Sequence, residues 1–211
     1  MPSYSLTTEY YLLPTPAGAF YAASSDNSEP ARNLLFELLS YSQSQQITPE
    51  RLSSWLNITD QQAALELLYR MQSIGWVQGS TEPRQAPTGM LVETLPTLLP
   101  ELSTSGKALL ADQQGFYLAT HGFSHETAEE LSALSADLAA LHERHRGLLQ
   151  NNLGLSSSAW AVVDASGNGQ LGFWPLYIGE QRFVLILAGM PRFNQPSFVD
   201  LIWSLNKRYS A

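Results

Sequence analysis

Apolar positions along the chain fall into two series, separated at Gly79–Gly89 (GSTEPRQAPTG), where Gly, Pro and polar residues leave no period that could bury a face. That boundary predicts a first domain over 1–80, a linker over 81–95 and a second domain over 96–211. In the first series, the aromatic runs Tyr10–Leu13 and Phe20–Ala23 flank Pro14-Thr15-Pro16-Ala17-Gly18, which predicts a short hairpin. Asp26–Pro30 reads as a loop entering a helix, with Pro30 in its first turn and a stripe of Leu34, Leu35, Leu38 and Leu39. Thr48-Pro49 opens a second helix with Leu52, Trp55 and Leu56 inward, and Asn57-Ile58 turns the chain. Thr59 is placed to cap a third helix, with Gln62 completing a capping box and Ala64, Leu65, Leu68 and Met71 as its buried stripe. Gly75 ends that helix and Trp76-Val77 begins an extended segment.

Beyond residue 90 the pattern changes. Pro96 and Pro100 restrict Leu91–Leu102 to short helical turns. Lys107–Asp112 and Phe116–Thr120 predict two strands about a Gln113-Gln114-Gly115 turn. Ser124 then caps a long helix, and Glu126, Glu129 and Glu130 bring negative charge to the positive end of its dipole. Leu131, Leu134, Leu138 and Leu141 recur at spacings of three, four and three, continuing through His145 to Leu148. A second line of Ala133, Ala136 and Ala140 runs beside them, so the helix is expected to contact both its own sheet and a partner chain. Trp160–Asp164 and Gln170–Leu176 form strands joined at Ser166-Gly167-Asn168-Gly169. Arg182–Ala188 is apolar at both parities, which predicts a strand covered on both faces. Pro196 starts a last helix with Phe198, Leu201, Ile202, Leu205 and Tyr209 along one face. Val199 and Trp203 lie about 100° from that face. Either the buried face is unusually wide, or the pair belongs to a binding surface.

Two resemblances follow from these layouts. Three helices, with a short turn between the second and third and then a strand, resemble the winged-helix variety of helix-turn-helix. The passage Leu109–Ala119, with an apolar strand ending in Asp112 and turning at Gly115, leads into Ala128-Glu129-Glu130-Leu131 and resembles the roadblock/dynein light-chain family of bacterial type. That resemblance covers about 100–211. It implies an α+β fold of order αββαβββα, a five-stranded antiparallel sheet between helices, which dimerises through its sheet edge and long helix. It also implies a platform for other proteins, notably small Ras-like GTPases. The helix shortened by Pro96 and Pro100, and the added helical domain, depart from the family pattern.

Composition narrows the chemistry. The chain has 211 residues and no cysteine, which removes thiolate metal sites, disulfides and cysteine nucleophiles. Its net charge of −8 is divided evenly between residues 1–89 and 90–211. Neither half offers the basic surface that nucleic acid attracts by counterion release. Met1-Pro2-Ser3-Tyr4 lacks the basic-then-apolar pattern of a secretory leader, and the apolar run Phe183–Met190 is too short to span a bilayer. A cytoplasmic address without membrane attachment is the expectation.

The remaining candidates for chemistry are weak. His142 and His145, three apart, do not make a metal site without further ligands. His121 and His125 flank a helix start and read as a polar turn. Ser156-Ser157-Ser158 lacks a nucleophile elbow, and strand rather than helix follows Gly167-Asn168-Gly169 and Gly172, so no phosphate cradle is expected. The third helix of the first domain would present Asp60, Gln61, Glu66, Tyr69, Arg70 and Gln72 to DNA, with acids facing phosphates. With no competing chemistry, the roadblock resemblance implies a non-catalytic homodimeric adaptor or regulator for a protein partner, a small Ras-like GTPase, with no cofactor and no metal. Its candidate interaction surface is Leu131, Leu134, Leu138, Ala133, Ala136, Ala140, Val199 and Trp203. The alternative is a transcription regulator whose helical domain meets DNA while the second domain dimerises. An enzyme is the least supported reading.

Overall fold

The computed structural model describes residues 4–7 and 9–210. Met1-Pro2-Ser3, on which most of the leader reading rests, lie outside the described residues. The chain divides into two units, Met1–Thr88 with Phe193–Ala211, and Gly89–Arg192.

Thr15 sets the start of the first helix. Its hydroxyl accepts from the Gly18 amide at 3.1 Å, and Pro16 takes the first helical position, where its missing N–H has no intrahelical partner to lose. The chain therefore enters α1 (Pro16–Ala23), and the hairpin expected between Tyr10–Leu13 and Phe20–Ala23 does not form. Only its first arm is a strand, β1 (Tyr11–Pro14). Its antiparallel neighbours come from farther along the chain, β2 (Gln45–Gln46) on one side and β3 (Val77–Ser80) on the other.

Helices α2 (Pro30–Leu38), α3 (Pro49–Leu56) and α4 (Gln61–Ser73) follow the sequence pattern. The Thr48 hydroxyl accepts from the Arg51 amide at 3.3 Å, and Asn57, at φ 54°, turns α3 into α4. The cap of α4 lies one residue later than expected. Asp60, not Thr59, accepts from the Gln62 amide at 2.9 Å, and its carboxylate also meets the helix dipole. The Gln62 side chain does not close a capping box; it bonds the backbone of Tyr4. Leu34, Leu35, Leu38, Leu52, Leu68 and Met71 meet in one core.

Residues 84–86, expected within a linker, run antiparallel to 42–44. The Ser44 amide donates to Arg84 O at 2.8 Å and the Ala86 amide to Ser42 O at 2.9 Å. Side chains join the pairing: the Arg84 amide donates to Ser44 Oγ and Gln85 Nε2 to Gln43 Oε1, both at 2.9 Å.

The first unit is completed by α7 (Pro196–Tyr209), the helix expected to close the second domain. Trp203 Nε1 donates to Tyr41 O at 2.9 Å and Asn206 Nδ2 to Phe36 O at 3.0 Å. Phe198 joins Phe193 and Phe20, with ring centroids 5.1 Å and 6.2 Å away. Helix α7 is buried over most of its circumference, and this resolves the two readings of Val199 and Trp203 in favour of a wide buried face.

In the second unit, α5 (Leu91–Leu98) contains Pro96 and passes into a 3₁₀ turn over Leu99–Leu102. Then come β4 (Ala108–Ala111), β5 (Tyr117–His121), α6 (His125–Arg144), β6 (Trp160–Val163), β7 (Gly169–Ile178) and β8 (Gln181–Ala188). The five strands make an antiparallel sheet of order β5-β4-β8-β7-β6. Helix α5 packs on β5, and α6 on β4, β5 and β8. The fold is thus α+β, with a five-stranded antiparallel sheet flanked by helices. Phe183 to Leu187 of β8 are buried at both parities, the two-sided burial that the apolar run predicts. Helix α6 stops at Arg144 rather than reaching Leu148, and Gly147–Asn152 continues as a wider π-helical turn.

Candidate interaction surface

Helix α6 is fixed at its start by Ser124, whose hydroxyl accepts from the Thr127 amide at 3.3 Å. The Glu126 carboxyl is held below the usual carboxylate range by its own backbone N–H and by Ser124. The residues that face inward are small or polar: Ala128, Ser132, Ser135 and His142. Ser132 Oγ donates to Ala128 O, and Ser135 Oγ to Ser132 O, both at 2.7 Å. The hydroxyls are satisfied within the helix, which lets a close-packed surface meet the sheet. A Cβ on Gly115, in the β4–β5 turn, would lie 3.3 Å from that of Ala136.

The expected leucine stripe therefore divides. Leu131 and Leu138 are half-buried against the core formed by Leu109, Phe173, Val184 and Ile186. Leu134 and Leu141 stand 42% and 36% exposed. Ala133 and Ala140 are exposed and Ala136 is half-buried. Val199 and Trp203 do not join this group: both are buried in the first unit, at 1% and 0% exposure.

Strand β6 adds residues that sequence reasoning missed. It lies at one edge of the sheet, and among the described residues it pairs with β7 alone. Val162 and Val163 are each 56% exposed. Leu148, Leu153 and Leu155, in the segment between α6 and β6, are exposed as well. An adjacent pair of β-branched residues reads in sequence like the buried run of β8. Only strand order places it at an edge. Trp160, at the head of β6, donates from Nε1 to His142 Nδ1 at 3.3 Å. An indole N–H can only donate, so Nδ1 holds the lone pair, and the bond ties β6 to the end of α6.

The other candidates serve local structure. His121 Nδ1 bonds Gly106 O at 2.8 Å, and His125 Nδ1 bonds the Tyr117 hydroxyl at 2.8 Å. Among the described residues no three His, Cys, Asp or Glu side chains converge as metal ligands. Ser157 Oγ accepts from the Ala159 amide at 3.2 Å. The turn at Gly167-Asn168-Gly169 wraps the Asp164 carboxylate, whose Oδ1 accepts from the Ser166 and Asn168 amides at 2.8 and 2.9 Å. Amides already bonded to a carboxylate are not free to cradle a phosphate. On α4, the Arg70 guanidinium is paired with Glu66.

No protein-family model matches the chain, and no curated protein matches it. Among solved structures, the chain is similar to roadblock proteins over part of its length. A Roadblock/LC7 domain from Streptomyces avermitilis is 15% identical, with 57% of this chain and 93% of that chain covered at a TM-score of 0.37. MglB of Myxococcus xanthus is 17% identical, with 57% and 94% covered at 0.35. The gliding protein MglB of Thermus thermophilus is 21% identical, with 60% and 96% covered at 0.34.

Proposed function

We propose that this chain is a non-catalytic adaptor or regulator that self-associates through β6 and the outer face of α6, and that binds a protein partner. The observation that carries the reading is the exposed edge strand with Val162 and Val163 open to solvent. An edge that presents unpaired backbone and apolar side chains invites another strand unless something covers it. A second copy, pairing β6 with β6, would cover it, and Leu134 and Leu141 would lie within the same association. The partner proposed is a small Ras-like GTPase. That choice rests on the roadblock resemblance of residues 100–211, and the first unit is read with it as a winged-helix-like addition. The proposed location is the cytoplasm; among the described residues no helix is long and apolar enough to cross a membrane.

The DNA-binding alternative has less support, since Arg70 on α4 is engaged by Glu66 and the chain carries a net charge of −8. Sedimentation over a range of concentrations tests the adaptor reading. The wild-type chain should associate, and Val162→Lys with Val163→Lys should weaken that association at least tenfold. A wild-type chain that remains monomeric at high concentration removes the self-association. A GTPase partner should then be retained by the wild type and lost from the double variant.

A further inference from the structure

The displaced side chain of Gln62 has an unusual engagement. The Tyr4 amide donates to Gln62 Oε1 at 3.1 Å, and Gln62 Nε2 donates back to Tyr4 O at 3.3 Å. One residue giving and receiving both backbone bonds is the pattern of a hydrogen-bonded pair in an antiparallel ladder. Here a carboxamide on a helix takes the place of the neighbouring strand. Tyr69 lies seven residues after Gln62, and so on the same face two turns later; its ring sits 5.0 Å from that of Tyr4. Tyr4 and Leu6 both pack against the core of the first unit, while Ser5 and Thr7 are exposed. A cavity of about 350 Å³ adjoins the segment, lined by Ser5, Leu6 and Thr7 of the segment itself and by Leu12, Ile47 and Leu68 among others.

We propose that this face of α4 is a docking groove for an extended peptide, occupied here by the chain's own residues Tyr4–Thr7. The ligand is a segment with an aromatic side chain and, two residues on, an apolar side chain larger than leucine. Three features define that chemistry. The Gln62 bonds read an extended backbone and no particular side chain. Tyr69 supplies an aromatic platform for the first position. The cavity lies beside the second, so a side chain larger than Leu6 has room to extend into it. Tethering gives the chain's own segment a high effective concentration, so a free peptide competes by filling the space that the tethered one leaves. The groove differs from the β6 edge in both place and ligand, and the inference does not depend on the adaptor reading.

The test uses the full-length chain and a fluorescent octapeptide, Pro-Ser-Tyr-Ser-Trp-Thr-Thr-Glu, which copies residues 2–9 with Trp in place of leucine. Tyr4→Ser with Leu6→Ser weakens the internal occupant, so this variant should bind the peptide at least tenfold more tightly than wild type. Adding Gln62→Ala should reverse that gain by at least tenfold. Equal binding to wild type and the double variant, or no binding to either, overturns the proposal. A second measurement decides the matter if the double variant fails to fold. Excess peptide added to the wild-type chain should speed exchange of the Tyr4 amide at least tenfold, and unchanged exchange there overturns the proposal.

Discussion

Arg84 and Asp200, 116 positions apart, are joined through one guanidinium nitrogen: Nη2 of Arg84 donates to both carboxylate oxygens of Asp200 at 2.8 Å. The side chains retain 33% and 21% of their exposure, so solvent screens the pair in part. Either residue changed to Ala should cost about 1 kcal/mol of stability, with most of the loss shared in a double-mutant cycle followed by urea unfolding. Trp203→Ala removes a fully buried ring from the same helix and should cost about 3–5 kcal/mol.

Gly18 has no room for a side chain. A Cβ there would lie 2.0 Å from the carbonyl oxygen of Trp76, and Trp76 is stacked on Tyr21 with centroids 3.7 Å apart. Gly18→Ala should destabilise the first unit by about 3 kcal/mol or more, read as a lower urea midpoint. Gly147→Ala meets nothing within 4 Å and serves as the neutral control.

Ser132 gives an expectation opposite to the one its burial suggests. Its hydroxyl bonds only a carbonyl of its own helix among the hydrogen bonds described, and such back-bonding contributes little to a helix. Ser132→Ala should change stability by no more than about 0.5 kcal/mol, whereas Ser132→Leu should overpack the contact with the sheet. Thermal unfolding of the two variants distinguishes these outcomes.

Asp164 supplies a pH dependence. The Asn168 amide and side chain, followed by the Ser166 amide and the Gln170 side chain, hold its carboxyl below the usual aspartate range. A folded pKa that lies under the unfolded one contributes stability above the unfolded value, and that stability is lost as pH falls through the folded value. The carboxyl carbon of Asp164 should titrate below an ordinary aspartate, and Asp164→Asn should remove this part of the acid sensitivity.

Much of the second unit is legible in sequence, because its signals are local. Gly115 and Gly167 mark turns between short apolar runs, Ser124 caps a helix, and the double-sided apolar run of β8 announces a covered strand. Some misread positions turn on competing local signals, and others on partners distant in sequence. Phe20–Ala23 carries β-favouring aromatics, yet Thr15 and Pro16 commit it to a helix. Val199 and Trp203 cannot be assigned inside or outside until the surroundings of α7 are known. The leucines of α6 read with its alanines as a candidate interaction surface, whereas Leu131 and Leu138 pack against the core of the sheet. Ser132 and Ser135 face inward with their hydroxyls satisfied within the helix. Gln62 reads as half of a capping box and instead grips a chain segment 58 residues earlier.

The route of the chain also sets an order of assembly. Gly89–Arg192 forms a unit whose residues all precede α7 in sequence, while the first unit needs α7 to cover Phe20 and satisfy Tyr41 O. During synthesis, which releases residues from the N-terminal side, the five-stranded sheet can close while its host still waits for a missing helix. The portion made first is therefore finished last.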